Sequence, residues 1–263
     1  MMIGEVVEPV IEVKGLSLDY DGRRVLRDIN FQVGKKEIFI VAGSSGCGKS
    51  TLLKSLIGLK EPEAGKVFYR GVSFWDQDEI SRQKMMRGFG VLYQGGALWS
   101  SFTLQENVAL PLQLYSDLSA AQIRETVELK LALVGLSGYG DFYPAQISGG
   151  MCKRAALARA IALDPEVIFF DEPSAGLDPV SSRTLDDLIL QLRDTLDATI
   201  VAVSHELASI FAVGDRVAFL DAESGNIIAV GDPRQLRDAS RDDKVVQFLT
   251  RGSKEPDNDK KSG

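Results

Sequence analysis

The sequence predicts an α/β fold: a parallel sheet with an antiparallel β subdomain before it and a helical segment inserted into it. Three observations predict this. Short β-rich runs and turns fill the first third, helical spacing takes over after Gln94, and strands alternating with helices return from Val167. The strongest apolar runs are Ile38–Ala42, Val167–Phe170 and Thr199–Val203, which have the length of buried parallel strands.

Taken in order, strands are expected at Ile11–Tyr20, Ile29–Val33, Ile38–Ala42, Lys66–Tyr69 and Val91–Tyr93, with a hairpin turn at Asp21-Gly22. Leu104–Leu114 and Ser119–Val134 have helical spacing, and Ser119-Ala120-Ala121-Gln122 is a capping box. A third helix follows Gly149-Gly150 and ends near Leu163, before Asp164-Pro165. Val167–Phe170 then leads to a helix over Val180–Thr195, and Thr199–Val203 to one over Glu206–Val213. Val217–Leu220 and Ile227–Val230 close the series. The expected layout is one domain over 9–251, with the helical insert at about 95–163 and a polar tail, 252–263, that reads as disordered.

Composition limits the function. The chain has 263 residues, 44% of them hydrophobic, and a formal net charge of −7. That charge disfavours non-specific nucleic-acid binding, which needs a basic face. No apolar run approaches the ~20 residues that span a bilayer. Met1–Pro9 has neither the basic nor the apolar region of a secretory signal. Cys47 and Cys152 suggest neither a disulfide framework nor a metal site, so the cytoplasm is the expected compartment.

Gly43-Ser44-Ser45-Gly46-Cys47-Gly48-Lys49-Ser50 fits G-x-x-x-x-G-K-[ST] between a strand and a helix expected over Lys49–Leu59. Its backbone N–H groups would curl round phosphate oxygens at a helix N-terminus, with Thr51 next in line. Lys49 would bridge the β- and γ-phosphates of ATP, and the Ser50 hydroxyl would ligate Mg²⁺. Cys47 at that N-terminus is expected to have a lowered thiol pKa. The strand Val167–Phe170 ends in Asp171-Glu172, at the sheet edge where ligands sit. Asp171 would hold the Mg²⁺ shell and Glu172 would orient or deprotonate the attacking water. His205, the chain's one histidine, follows Thr199–Val203 and would contact the γ-phosphate.

These features describe a P-loop NTPase. Ile147-Ser148-Gly149-Gly150-Met151, ahead of a helix, resembles the signature of ABC-type ATPases, with Ile147 and Met151 departing from the usual Leu-Ser-Gly-Gly-Gln. The resemblance covers roughly 11–250. It implies that Ser148, Gly149 and Gly150 cap the γ-phosphate held by a second copy of the chain. It also implies that Tyr20 stacks on adenine, that Gln94 senses Mg²⁺ and the attacking water, and that His205 is the switch histidine. Ser174-Ala175-Gly176-Leu177-Asp178 matches the loop that crosses the dimer interface.

Three segments look similar to the ATPases of Mla/MCE-type lipid transporters: Ser148–Leu163, Tyr93–Trp99 and Ser204–Phe211. They imply phospholipid movement, integral-membrane permease subunits, an MCE-domain lipid-binding partner, and a peripheral site on the cytoplasmic face of the inner membrane. The alternatives are the ATPase of an importer for a small polar solute and a soluble ABC ATPase outside transport. Leu98, Trp99 and Phe102 are either the docking groove for a permease helix or insert core. Lys244–Leu249 is a candidate segment for reaching the other ATPase subunit.

Overall fold

The computed structural model describes residues 9–250. The expected tail at 252–263 lies outside the described residues. Strand β1 (Ile11–Tyr20) pairs antiparallel with β2 (Arg23–Val33) across a two-residue turn. Asp21 (φ 49°) and Gly22 (φ 74°) both take the positive φ that such a turn requires. The hairpin is longer than expected, because β2 starts at Arg23 rather than Ile29. With β4 (Ala64–Tyr69) and the short β5 (Val72–Ser73) it forms a sheet in the order β2-β1-β4-β5.

The second sheet has six strands in the order β10-β9-β3-β8-β7-β6. These are β3 (Ile38–Ala42), β6 (Phe89–Leu92), β7 (Val167–Asp171), β8 (Thr199–Ser204), β9 (Arg216–Leu220) and β10 (Ile227–Gly231). β9, β3, β8, β7 and β6 run parallel. β10 is antiparallel to β9, a correction to the all-parallel reading: the connection between them is too short for a crossover.

Side-chain alternation divides the core between the two faces of this sheet. Ile38, Ile40, Ile168, Phe170, Ile200 and Ala202 join the helices on one side. Phe39, Val41, Phe169, Val201 and Val203 pack with the first sheet and α1 (Lys49–Leu56) on the other. With both faces covered, β3 is buried along its whole length.

α1 (Lys49–Leu56) stops short of Leu59. α2 (Glu79–Met86), capped by Asp78, was not expected, since it buries no residue and so carries no apolar stripe. α3 (Leu104–Tyr115) and α4 (Ala120–Leu133) each start with a complete capping box, at Thr103/Glu106 and Ser119/Gln122. α5 (Gly149–Ala160) packs on both and ends before Leu163. α6 (Pro179–Leu196), α7 (Leu207–Val213), α8 (Pro233–Ala239) and α9 (Asp243–Leu249) complete the described helices.

α9 corrects the reading of Lys244–Leu249 as a reach towards another subunit. Val245 and Leu249 are buried in this chain's own core, and Phe248 lies edge-on to Phe219 at 4.9 Å. Lys244 donates to Asp221 at 2.9 Å and Glu223 at 2.7 Å.

Candidate functional site: a phosphate-binding cleft at the strand ends

Sheet register brings the chemistry together. Ala42 pairs with Ser204, and Asp171 with Val203, so Gly43, Glu172 and His205 leave the sheet side by side. The cleft they open has a volume of about 360 Å³. Tyr20, Ser45, Gly46, Gly48, Lys49, Ser50, Thr51, Gln94, Glu172 and His205 line it, all expected, together with Val25, which was not. Val25 leaves no motif in the sequence; it arrives because β2 packs over the loop.

Two glycines are dictated by their surroundings. At Gly43 (φ 156°) a Cβ would collide with the Leu220 carbonyl and lie 2.8 Å from Cys47 Sγ. At Gly48 (φ 105°), the residue preceding α1, it would lie 2.7 Å from Leu26 Cδ2 and 2.8 Å from Val25 Cγ1. The loop is therefore wedged between β9 and β2, with no room for a side chain at Gly43 or Gly48.

Lys49 is buried and donates to the carbonyls of Gly43 (2.9 Å) and Ser44 (3.0 Å), with Glu172 Oε1 at 3.9 Å. The Ser50 hydroxyl donates to Asp171 Oδ1 at 3.1 Å, a pairing of hard oxygens suited to Mg²⁺. Burial raises the Asp171 carboxyl above its ordinary range, and the Ser50 hydrogen bond and the Lys54 and Lys49 charges act against that rise.

Glu172 takes a left-handed backbone conformation (φ 50°), and its N–H donates to Val203 O at 3.0 Å. Strain of this kind clusters at functional sites. Its carboxylate lies 2.8 Å from His205 Nδ1 and accepts the His205 backbone N–H at 3.4 Å. The imidazole itself is half exposed to the cleft. Gln94 stands exposed at the mouth, and the loop behind it is gripped by Arg159 of α5, which donates to Gly96 O (2.9 Å) and Ala97 O (2.8 Å).

Cys47 corrects the expectation of a lowered thiol pKa. It is 2% exposed, and burial raises its thiol pKa despite the Lys49 ammonium nearby. The helix terminus cannot offset the loss of solvent.

Ser148, Gly149, Gly150 and Asp178 lie outside the cleft. Ser148 caps α5 by accepting the Met151 N–H at 3.2 Å. A Cβ on Gly149 would meet nothing within 4 Å, whereas one on Gly150 would touch Ser181. Asp178 caps α6 through the Val180 and Ser181 N–H groups, both at 3.0 Å. Of the insert aromatics, Trp99 is 57% exposed and lies tilted against Phe102 with ring centroids 6.1 Å apart, while Leu98 packs on the core. The two readings of that cluster therefore divide between its members.

A strand–loop–helix phosphate cradle, a carboxylate pair at the next strand end and a histidine at the third define a P-loop nucleoside triphosphatase. Residues 26–175 match the family model for the ABC transporter. The chain is 39% identical to the intermembrane phospholipid transport system ATP-binding protein MlaF of Haemophilus influenzae, over 91% of this chain and 90% of that protein. It is 40% identical to the probable ribonucleotide transport ATP-binding protein mkl of Mycobacterium leprae, covering 91% of this chain and 68% of that one. The solved dimeric structure of the ATP-binding cassette MJ0796, in a post-hydrolysis state with ADP and Pi, superposes with a TM-score of 0.77 at 27% identity. That match covers 84% of this chain and 98% of the cassette. The chain belongs to the ABC transporter family, as an ATP-binding and ATP-hydrolysing subunit.

Proposed function

We propose that two copies of the chain close on two ATP molecules and so drive a membrane permease that moves phospholipid between membranes. The observation that carries the two-chain site is the position of Ser148–Gly150. This helix N-terminus stands outside the chain's own cleft with open space at Gly149, although helix N-termini favour phosphate. The dimeric MJ0796 cassette supports the same arrangement. The likeness to MlaF supports phospholipid as cargo.

In this reading residues 9–251 act as one ATPase domain. Lys49 exchanges the Gly43 and Ser44 carbonyls for the β- and γ-phosphates. The N–H groups of Ser45 to Thr51 surround those phosphates, and Tyr20 stacks on adenine. Ser50, Gln94 and Asp171 would hold Mg²⁺, which would offset the charge of the phosphate oxygens. Glu172 accepts the proton of the water that attacks the γ-phosphorus as the bond to ADP breaks, and His205 holds Glu172 in place. Asp178 lies where the loop beginning at Ser174 meets the second copy. Permease subunits and an MCE-domain protein would place the chain at the cytoplasmic face of the inner membrane, with the exposed Trp99 in the docking groove.

Glu172→Gln should keep ATP binding and lower turnover by about 10²- to 10⁴-fold, the usual contribution of a positioned base. Undiminished turnover would remove Glu172 from that role. For cargo, the complex should be purified from native membranes and its chains and lipids identified. An MCE-domain chain with bound phospholipid is expected; a soluble solute-binding protein instead would overturn the lipid reading.

A further inference from the structure

Behind the cleft lies a buried polar chain that the proposed chemistry does not use. Asp186 of α6 is 4% exposed, and Ser209 of α7 and Ser174 are 5% and 4% exposed. The Ser209 hydroxyl donates to Asp186 Oδ2 at 3.1 Å, and its oxygen lies 3.3 Å from Ser174 Oγ. A hydroxyl has one proton to give, so Ser174 is left to donate to Ser209. Among the described residues Asp186 Oδ1 is buried with no hydrogen-bond partner, and Arg183 on the same helix pairs with Asp187, at 3.3 Å. A buried carboxyl without a cation is costly, and an apolar side chain would fill the place more stably.

The covalent connections give the trio a purpose. Ser174 opens the loop that runs to Asp178, and the Ala175 N–H at its start donates to Glu172 O at 3.2 Å. Ser209 sits on α7, which begins just after His205. His205 returns to Glu172 through its 2.8 Å contact. Glu172, Ser174, Ser209 and His205 thus form a closed ring, which Asp186 ties to α6. Lys153 of α5 also donates to Pro173 O and Ala175 O, both at 2.6 Å. The start of the loop is therefore tied both to α5 and, through Ser209, to α7.

We propose that Ser209 and Asp186 are positioning residues for ATP hydrolysis: through the Ser174 hydroxyl they link displacement of the Ser174–Asp178 loop to the Glu172–His205 pair. The inference rests on the two-chain ATPase reading above, in which that loop meets the second copy. None of the three residues lines the nucleotide cleft, so their removal acts on turnover and not on nucleotide affinity.

The test is steady-state ATP hydrolysis by the full-length protein carrying Ser209→Ala, Ser174→Ala, both together, or Asp186→Asn. Each serine variant is expected to lower kcat about tenfold, equivalent to about 1.4 kcal/mol, with the KM for ATP within about twofold of wild type. The double variant should be no slower than either single one, because both break the same link. Asp186→Asn keeps an oxygen for Ser209 and should retain most of the activity. If kcat in both serine variants stays within twofold of an active wild type, the inference is overturned and the ATPase reading stands. The inference is likewise overturned if the losses multiply in the double variant, or if KM rises in parallel with the fall in kcat. A wild-type protein that hydrolyses no ATP would instead overturn the reading on which the inference rests.

Discussion

At the scale of single residues, burial decides which groups can react. Cys47 has Lys49 and a helix N-terminus beside it, yet burial keeps its thiol protonated. Cys152 is only partly buried, and its thiol donates to Pro144 O at 3.3 Å. Iodoacetamide should therefore label Cys152 first and leave Cys47 nearly untouched, with or without ATP; mass spectrometry showing Cys47 labelled first would contradict this. Burial also raises the Asp186 carboxyl pKa, against the Ser209 bond. Its charged neighbours are Arg183 and Asp187 on its own helix, and from α7 the Ser209 hydroxyl donates to it. The native state then binds more protons than the unfolded chain, so stability falls as pH rises from about 4 through the raised value. Asp186→Asn cannot titrate, and its urea midpoint should gain on wild type between pH 4 and pH 7. A gap that stays constant with pH would contradict the assignment.

At the scale of elements, the C-terminal helix is part of this chain's own core. Leu249 on α9 is 3% exposed among the helices that cover the sheet. Leu249→Ala should cost about 2–5 kcal/mol, seen as a lower urea midpoint that does not vary with protein concentration. An unchanged midpoint, or one that rises with concentration, would indicate a helix packed on another copy. The central strands and capped helices were legible in sequence because their signals are local. Ile38–Ala42 is an unbroken apolar run, and Ser119/Gln122 spells its capping box. α2, α8 and α9 were missed, although Asp78, Asp232 and Asp242 mark their starts, because each is too short for its pattern to stand out. Most cleft residues could be read from motifs because the phosphate loop, Glu172 and His205 each leave a strand end. Val25 and the Ser174–Ser209–Asp186 chain could not, because they meet only through tertiary packing.

At the scale of the whole molecule, the phosphate loop lines the cleft and Ser148–Gly150 does not. In the proposed two-chain reading these are the two halves of one site. Among the described residues no helix is long and apolar enough to cross a membrane. With a net charge of −7, attachment to a membrane would run through protein partners rather than anionic lipid. The most direct test of the two-chain site mixes Lys49→Ala with Ser148→Arg subunits, both also carrying Glu172→Gln, and measures ATP occluded per dimer. In a mixed dimer one site carries both lesions and the other carries neither. Occluded ATP should therefore appear on mixing, at one site per mixed dimer, and be absent from either variant alone. Mixed dimers that occlude no ATP would contradict the account.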